Sequence, residues 1–244
     1  EEYTYKLEQM LNTENPYYMK SGLVNKGLPI QLNGNILQTE SEFYSSIRPK
    51  PIIEKGESQL DALRNRGVQY MEVRILDLNP FEKLGISLTQ LHFLQVFMLY
   101  CLLEPSERIT ESELAKINAN HHLVALHGRK KGLSLHSYDN HMISLPHFGE
   151  TIFQKLKLIA GLLDKNSENC LYQDSVQSEY AKLSDISLLP SSKIDREMQE
   201  NKESFLEFGL RQAIRHSFIN PPVNHPQKDF PQSGNQETWG GNIC

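Results

Sequence analysis

The stretch Val68-Gln69-Tyr70-Met71-Glu72-Val73-Arg74-Ile75-Leu76-Asp77-Leu78-Asn79-Pro80-Phe81 constrains this chain more than any other. The β-branched Val68, Val73 and Ile75, together with Tyr70, favour a pleated strand. Asn79-Pro80 ends it, because proline has no amide to give a ladder. The period of two then places Glu72, Arg74 and Leu76 on one face, with the first two about 7 Å apart along the strand. An acid and a guanidinium presented together suit a metal-bound polyphosphate. The carboxylate takes Mg²⁺, and the planar fork grips phosphoryl oxygens. The same spacing also serves an ordinary same-face ion pair, and spacing alone leaves both readings open.

The remainder of the chain is patterned mainly for helices. Residues 1–12 predict a helix that Asn12-Thr13-Glu14-Asn15-Pro16 terminates. Residues 28–38 and 43–49 read as extended or part-extended, with a hairpin or bulge signal at Asn33-Gly34-Asn35. Ser58 caps a short helix over 58–66, and Gly67 is its left-handed stop. From residue 87 the period becomes 3.6. Ser87 or Thr89 caps a broadly apolar core helix that Pro105 ends, and Cys101 within it reads as a small core residue. Thr110 and Glu113 form a capping box for a helix reaching about residue 126. Further helices are predicted over 147–164, near 170–183 and over 193–219. From Asn220 to Cys244 the composition turns to Pro, Asn, Gln and Gly, which predicts a disordered tail. The domains expected are a sheet part over 1–83, a helical layer over 84–219 and the tail over 220–244.

A net charge of −5 argues against a nucleic-acid or anionic-membrane partner. No run of about 18 apolar residues predicts a membrane span. The first residues carry neither a basic nor an apolar leader, so no signal peptide is expected. The absence of an initiator Met fits a chain whose beginning is missing. Three widely spaced cysteines, Cys101, Cys170 and Cys244, suggest a reducing cytoplasm rather than a disulfide framework. His121, His122 and His127 are poorly spaced for a metal pair on one helical face and read as ordinary histidines.

Two long blocks, in this order, resemble the proteobacterial type of glutamate–cysteine ligase. One runs from Asn33-Gly34-Asn35 through Glu40-Ser41-Glu42-Phe43-Tyr44 to Arg48-Pro49-Lys50. The other runs from Gly56-Glu57-Ser58 through Asp61-Ala62-Leu63-Arg64-Asn65-Arg66-Gly67 and Glu72-Val73-Arg74 to Pro80-Phe81. The likeness continues at Gly128-Arg129-Lys130-Lys131-Gly132-Leu133 and fades near residue 220, covering about the C-terminal half of a typical member. It implies an α+β fold: part of a glutamine-synthetase-like antiparallel sheet, followed by a mainly helical layer.

The function it implies is ATP-dependent joining of the L-glutamate γ-carboxyl to the L-cysteine amine, the first step of glutathione synthesis. Glu72 becomes a ligand of Mg²⁺ (Mn²⁺ being the other candidate), and Arg74 the residue that stabilises the transferred phosphoryl group. Tyr44 becomes a cysteine contact. Arg48 and Lys50 are cations for substrate carboxylate or phosphate, with a solvated sheet edge as the other account. Glu40 reads as a supporting residue or part of a solvent face. The resemblance also implies that further metal ligands and most glutamate contacts lie in an N-terminal half that this chain lacks, so the chain alone is expected to be inactive. Two rivals stay open: a related carboxylate–amine ligase using another amine, and a non-catalytic remnant.

Overall fold

The computed structural model describes residues 2–137, 139 and 141–218. The expected disordered tail and Cys244 lie outside them. The fold is α+β, with antiparallel strand pairs among many helices. The chain divides into two compact units after Asp77.

The first unit opens with helix α1 (Glu2–Asn12) and short α2 (Pro16–Ser21), followed by the two-residue strands β1 (Val24–Asn25) and β2 (Leu28–Pro29). Strand β3 (Ile47–Lys50), helix α3 (Gln59–Arg66) and strand β4 (Tyr70–Val73) complete it. Leu7 of α1 is buried, as are Leu60, Ala62 and Leu63 of α3, and these form the core of the unit. The Asn33-Gly34 signal is not a strand-to-strand turn. The Gly34 carbonyl instead accepts from the Asn15 amide at 2.8 Å, and Asn35 bridges Glu14, tying the loop to the end of α1. Ser58 caps α3 as expected, its hydroxyl accepting from the Asp61 amide at 3.0 Å. Gly67 follows with φ +72 and ψ −164, so it stops the helix outside the left-handed helical well, in a conformation open essentially to glycine.

The second unit is helical: α4 (Leu88–Leu103), α5 (Glu111–His127), α6 (Leu145–Asp164), α7 (Leu171–Ser184), α8 (Pro190–Asn201) and α9 (Phe205–Phe218). Both capping boxes form, Ser87 with Gln90 and Thr110 with Glu113. A small hairpin, β5 (Ser134–His136) and β6 (Met142–Ser144), interrupts the helices where no strand was expected. Val96, Phe153, Leu156, Ala160 and Val176 are the buried centre of α4, α6 and α7, with Phe93, Phe97, Ile152 and Tyr180 packed around them. Gly149 allows α6 to approach α7 closely, since a Cβ there would lie 2.7 Å from Leu183 Cδ1. Buried Asp164 accepts from the Tyr172 and Gln173 amides at 3.2 and 2.9 Å, placing negative charge at the α7 N-terminus.

Cys101 is exposed, because the α4 face that packs inward is the one carrying Phe93, Val96, Phe97 and Tyr100. The helix expected over 193–219 is two helices, and Pro190 is the first residue of α8. Lys202 adopts left-handed φ +53 and breaks the helix. Ser204 then starts α9 in a reciprocal cap with Glu207.

Arg211 ties the two helices together, donating to Glu197 at 2.9 Å and to Glu203 at 2.6 Å. The side-chain bond from Arg211 holds the Glu203 carboxyl below the usual 4.5. Arg66 likewise lowers Glu57, and Arg64 lowers Glu8. A carboxyl lowered in the folded state stabilises folding above its unfolded pKa and loses that contribution as pH falls through its folded one. Melting temperature is therefore expected to hold from pH 7 towards the usual glutamate value and to drop below it. Arg211→Gln should reduce the acid-side drop in thermal melts. An unchanged drop would remove Glu203 from that account.

Candidate functional site

The two strands of the first unit pair antiparallel in a register that settles which side chains share a face. Ile47 opposes Val73, Arg48 opposes Glu72, Pro49 opposes Met71 and Lys50 opposes Tyr70. Two flanking bonds, Gln69 amide to Lys50 carbonyl at 2.9 Å and Arg74 amide to Ser46 carbonyl at 2.8 Å, extend the ladder to both sides. Directly opposed residues project to the same side. Arg48, Lys50, Glu72 and Arg74 therefore gather on one face of the strand pair, with Tyr70. Alternation in β4 was readable from its sequence, whereas the partner strand that brings Lys50 alongside was not.

Glu72 is the single carboxylate in this group and sits between two cations. Its Oε1 is 3.6 Å from Arg74 Nε and its Oε2 is 3.6 Å from Lys50 Nζ. Both separations are ion-pair distances, longer than a good hydrogen bond, so lone pairs of the carboxylate remain available to another cation. The Glu72 side chain keeps 41% of its surface accessible. Lys50 is steadied from behind by Gln59, whose Oε1 accepts from Nζ at 3.3 Å. The Arg74 guanidinium lies 4.8 Å from the centre of the Tyr44 ring, which orients its fork by a cation–π contact and leaves Tyr44 largely exposed.

Arg48 departs from the expectation of a substrate contact or a solvated edge. It is 6% exposed, and its Nη2 donates to the carbonyls of Phe43 and Ser41. Those bonds fasten the loop that presents Tyr44. The Arg48 Nε is buried with no partner among the described residues. Tyr3 lies in the same region, its ring edge-on to Phe43 at 5.8 Å. Burial raises the Tyr3 hydroxyl pKa, with the nearby Arg48 charge opposing that rise. Glu40 is also structural: its carboxylate accepts from the Leu60 amide at 3.3 Å, near the start of α3. Tyr3, Phe43 and Gln59 carried no sequence signal as supports, because each acts through a fold-back of the chain. In the second unit, Arg129 of the basic run 129–131 pairs with Asp195 at 3.7 Å.

The arrangement is one carboxylate able to share a metal ion, flanked by a lysine and an aromatic-braced arginine that can neutralise anionic oxygens. A family model for glutamate–cysteine ligase matches residues 1–124. A glutamate–cysteine ligase of Clostridium acetobutylicum is 51% identical over 213 residues, 87% of this chain and 44% of that protein. The chain belongs to the glutamate–cysteine ligase family. A Pseudomonas putida member is 40% identical over 231 residues, 93% of this chain and again 44% of the relative. The crystal structure of a Francisella tularensis glutamate–cysteine ligase in complex with AMP superposes with a TM-score of 0.80 at 35% identity. That match covers 89% of this chain and 43% of the solved one. The chain thus spans less than half the length of the family members it matches.

Proposed function

We propose that this chain forms part of an enzyme that ligates the γ-carboxyl of L-glutamate to the amine of L-cysteine at the expense of ATP. The observation that carries the reading is the charged face of the β3–β4 strand pair, in a chain whose relatives are named glutamate–cysteine ligases. Such ligation needs a carboxylate oxygen to attack the γ-phosphorus of ATP while the bond to the ADP oxygen breaks. The amine then attacks the acyl carbon, phosphate leaves and the nitrogen loses a proton. Phosphoryl transfer of this kind depends on positioning and charge neutralisation far more than on covalent help from the protein.

Arg74, braced by Tyr44, would meet oxygens of the transferred phosphoryl group through two parallel N–H donors. Lys50 supplies a second cation on the same face. Tyr44, exposed beside Arg74, is the proposed contact for cysteine. Arg48 is given a positioning role, since its Nη2 is committed to the Tyr44 loop.

Glu72 would hold one face of a Mg²⁺ or Mn²⁺ ion, which when bound draws charge from phosphate oxygens. Among the described residues no three His, Cys, Asp or Glu side chains cluster to complete a metal site. The remaining ligands, and most glutamate contacts, are assigned to the part of the relatives' length that this chain does not span. No described helix is long and apolar enough to cross a membrane. A cytoplasmic setting is the one we propose.

The test is phosphate release from ATP with glutamate and each of three acceptors: L-cysteine, 2-aminobutyrate and ammonia. This chain alone is expected to give no turnover. The same sequence within a polypeptide extended to the relatives' full length should turn over with cysteine preferred. Robust turnover by the chain alone would refute the divided site. A preference for ammonia in the extended protein would move the assignment to another carboxylate–amine ligase.

A further inference from the structure

Tyr44 braces Arg74, yet its own side chain is 69% exposed and is not fixed by burial. What fixes it is the backbone path between the 3₁₀ turn Glu40–Glu42 and β3. Ser41, Glu42 and Tyr44 are all exposed along that path. A segment with so little apolar burial of its own keeps one conformation only where other elements hold it.

Neighbouring elements do hold it. At its start, the Glu40 carboxylate accepts from the Leu60 amide of α3. From β3, Arg48 Nη2 donates to the Ser41 carbonyl at 3.3 Å and to the Phe43 carbonyl. From α1, the Tyr3 ring meets the Phe43 ring edge-on, with centroids 5.8 Å apart and planes at 73°. In that geometry the positive edge of one ring faces the negative face of the other. Phe43 is thus gripped by its carbonyl from one element and by its ring from another, and Tyr44 is the next residue along. Tyr3, Glu40 and Arg48 lie close enough together for both charges to act on the Tyr3 hydroxyl.

The ring and the hydroxyl of Tyr3 contribute differently. The hydroxyl oxygen is buried with no hydrogen-bond partner among the described residues. A buried hydroxyl in that state costs free energy, so it does not hold the loop. The ring does, through Phe43. Deleting one ring of an edge-to-face pair shifts an equilibrium between held and released loop by about threefold to tenfold.

We propose that Tyr3 is a positioning residue for the charged face. Through Phe43 its ring sets the loop that places Tyr44 against Arg74, so α1 governs the orientation of the arginine fork and the Tyr44 contact assigned to cysteine. The consequence for catalysis rests on the ligase reading of Tyr44 and Arg74, whereas the brace itself does not.

The experiment has two arms. In this chain, the Arg74 Nε–H resonance senses the ring current of Tyr44 and is followed in proton–nitrogen correlation spectra. Tyr44→Leu marks the position of an unbraced Arg74. Tyr3→Ala should move the resonance about halfway to that position or further, while amides of α4, α6 and α7 stay in place. Tyr3→Phe should leave it where it is. Phe43→Leu removes the other ring of the pair and should reproduce Tyr3→Ala, which keeps the test alive if Tyr3→Ala does not fold. An unmoved Arg74 in the folded ring-deletion variants, or a Tyr3→Phe spectrum matching Tyr3→Ala, would overturn the brace. In the polypeptide extended to the relatives' full length, Tyr3→Ala should raise KM for cysteine by about threefold to tenfold. KM for glutamate should stay unchanged, and Tyr3→Phe should restore the cysteine value. Tyr44→Leu separates the two possible failures. If it leaves KM for cysteine unchanged, the assignment of Tyr44 to cysteine falls and the spectra alone decide the brace. If it raises KM and Tyr3→Ala does not, positioning by Tyr3 is refuted.

Discussion

Glu72→Gln, in a polypeptide carrying this sequence at the full length of its relatives, is expected to lower kcat by about 10²–10³-fold. The amide keeps the shape of the carboxylate and its place opposite Arg48, so the strand pair should survive. What goes is the negative charge, and with it the metal ligand proposed for this position. Lys50 and Arg74 are then left on either side of a neutral group, where each had been 3.6 Å from a carboxylate oxygen. Their mutual repulsion adds to the loss, and the required concentration of Mg²⁺ should rise. Steady-state kinetics over a range of Mg²⁺ concentrations, with circular dichroism to establish folding, measures both effects. Near-wild-type turnover with an unchanged Mg²⁺ requirement would end the assignment of Glu72 as a ligand. Normal turnover reached only at higher Mg²⁺ would confine its role to metal affinity.

Leu156→Ala carries the second large effect, on the helical unit. Leu156 is fully buried and belongs to the cluster of Val96, Phe153, Ala160 and Val176 that joins α4, α6 and α7. Truncation removes the transfer free energy of the lost methyl groups and leaves a void between helices that cannot close freely. Buried Leu→Ala changes of this type cost about 2–5 kcal/mol. Gly149 already brings α6 and α7 as close as the Leu183 side chain permits, which limits relaxation at that contact. Urea unfolding followed at the helical signal should show the midpoint falling with little change in slope. A loss below about 1 kcal/mol would mean that the helices collapse onto the space. Leu158→Ala is the control, since that side chain is largely exposed on the same helix and should change stability little.

Features set by neighbours in sequence were the readable ones. Ser58, Ser87 and Thr110 each satisfy a helix end from within three residues, so the type of residue and its spacing were enough. Ser204 and Glu207 obey the same rule, but the apolar spacing of Phe205, Phe208 and Ile214 runs on smoothly from the preceding helix and masks the break. Lys202 in a left-handed conformation has no compositional signature, as lysine seldom adopts one. Arg48 shows the deeper difficulty. The sequence offers Arg48 as a substrate cation or a solvated edge, whereas its burial depends on residues 41–43 folding back over it. Cys101 failed for a related reason: an almost wholly apolar helix does not reveal which side is covered.

The β3–β4 pair also bears on how this polypeptide behaves in solution. Among the described residues it is a sheet of two strands only, so each strand carries an outward row of amides and carbonyls without ladder partners. Ile47, Met71 and Ile75 are exposed along it. An open strand pair of that kind is a template for an added extended segment. A second copy of this chain, or any other extended segment, could add to such an edge, and light scattering against protein concentration would show it.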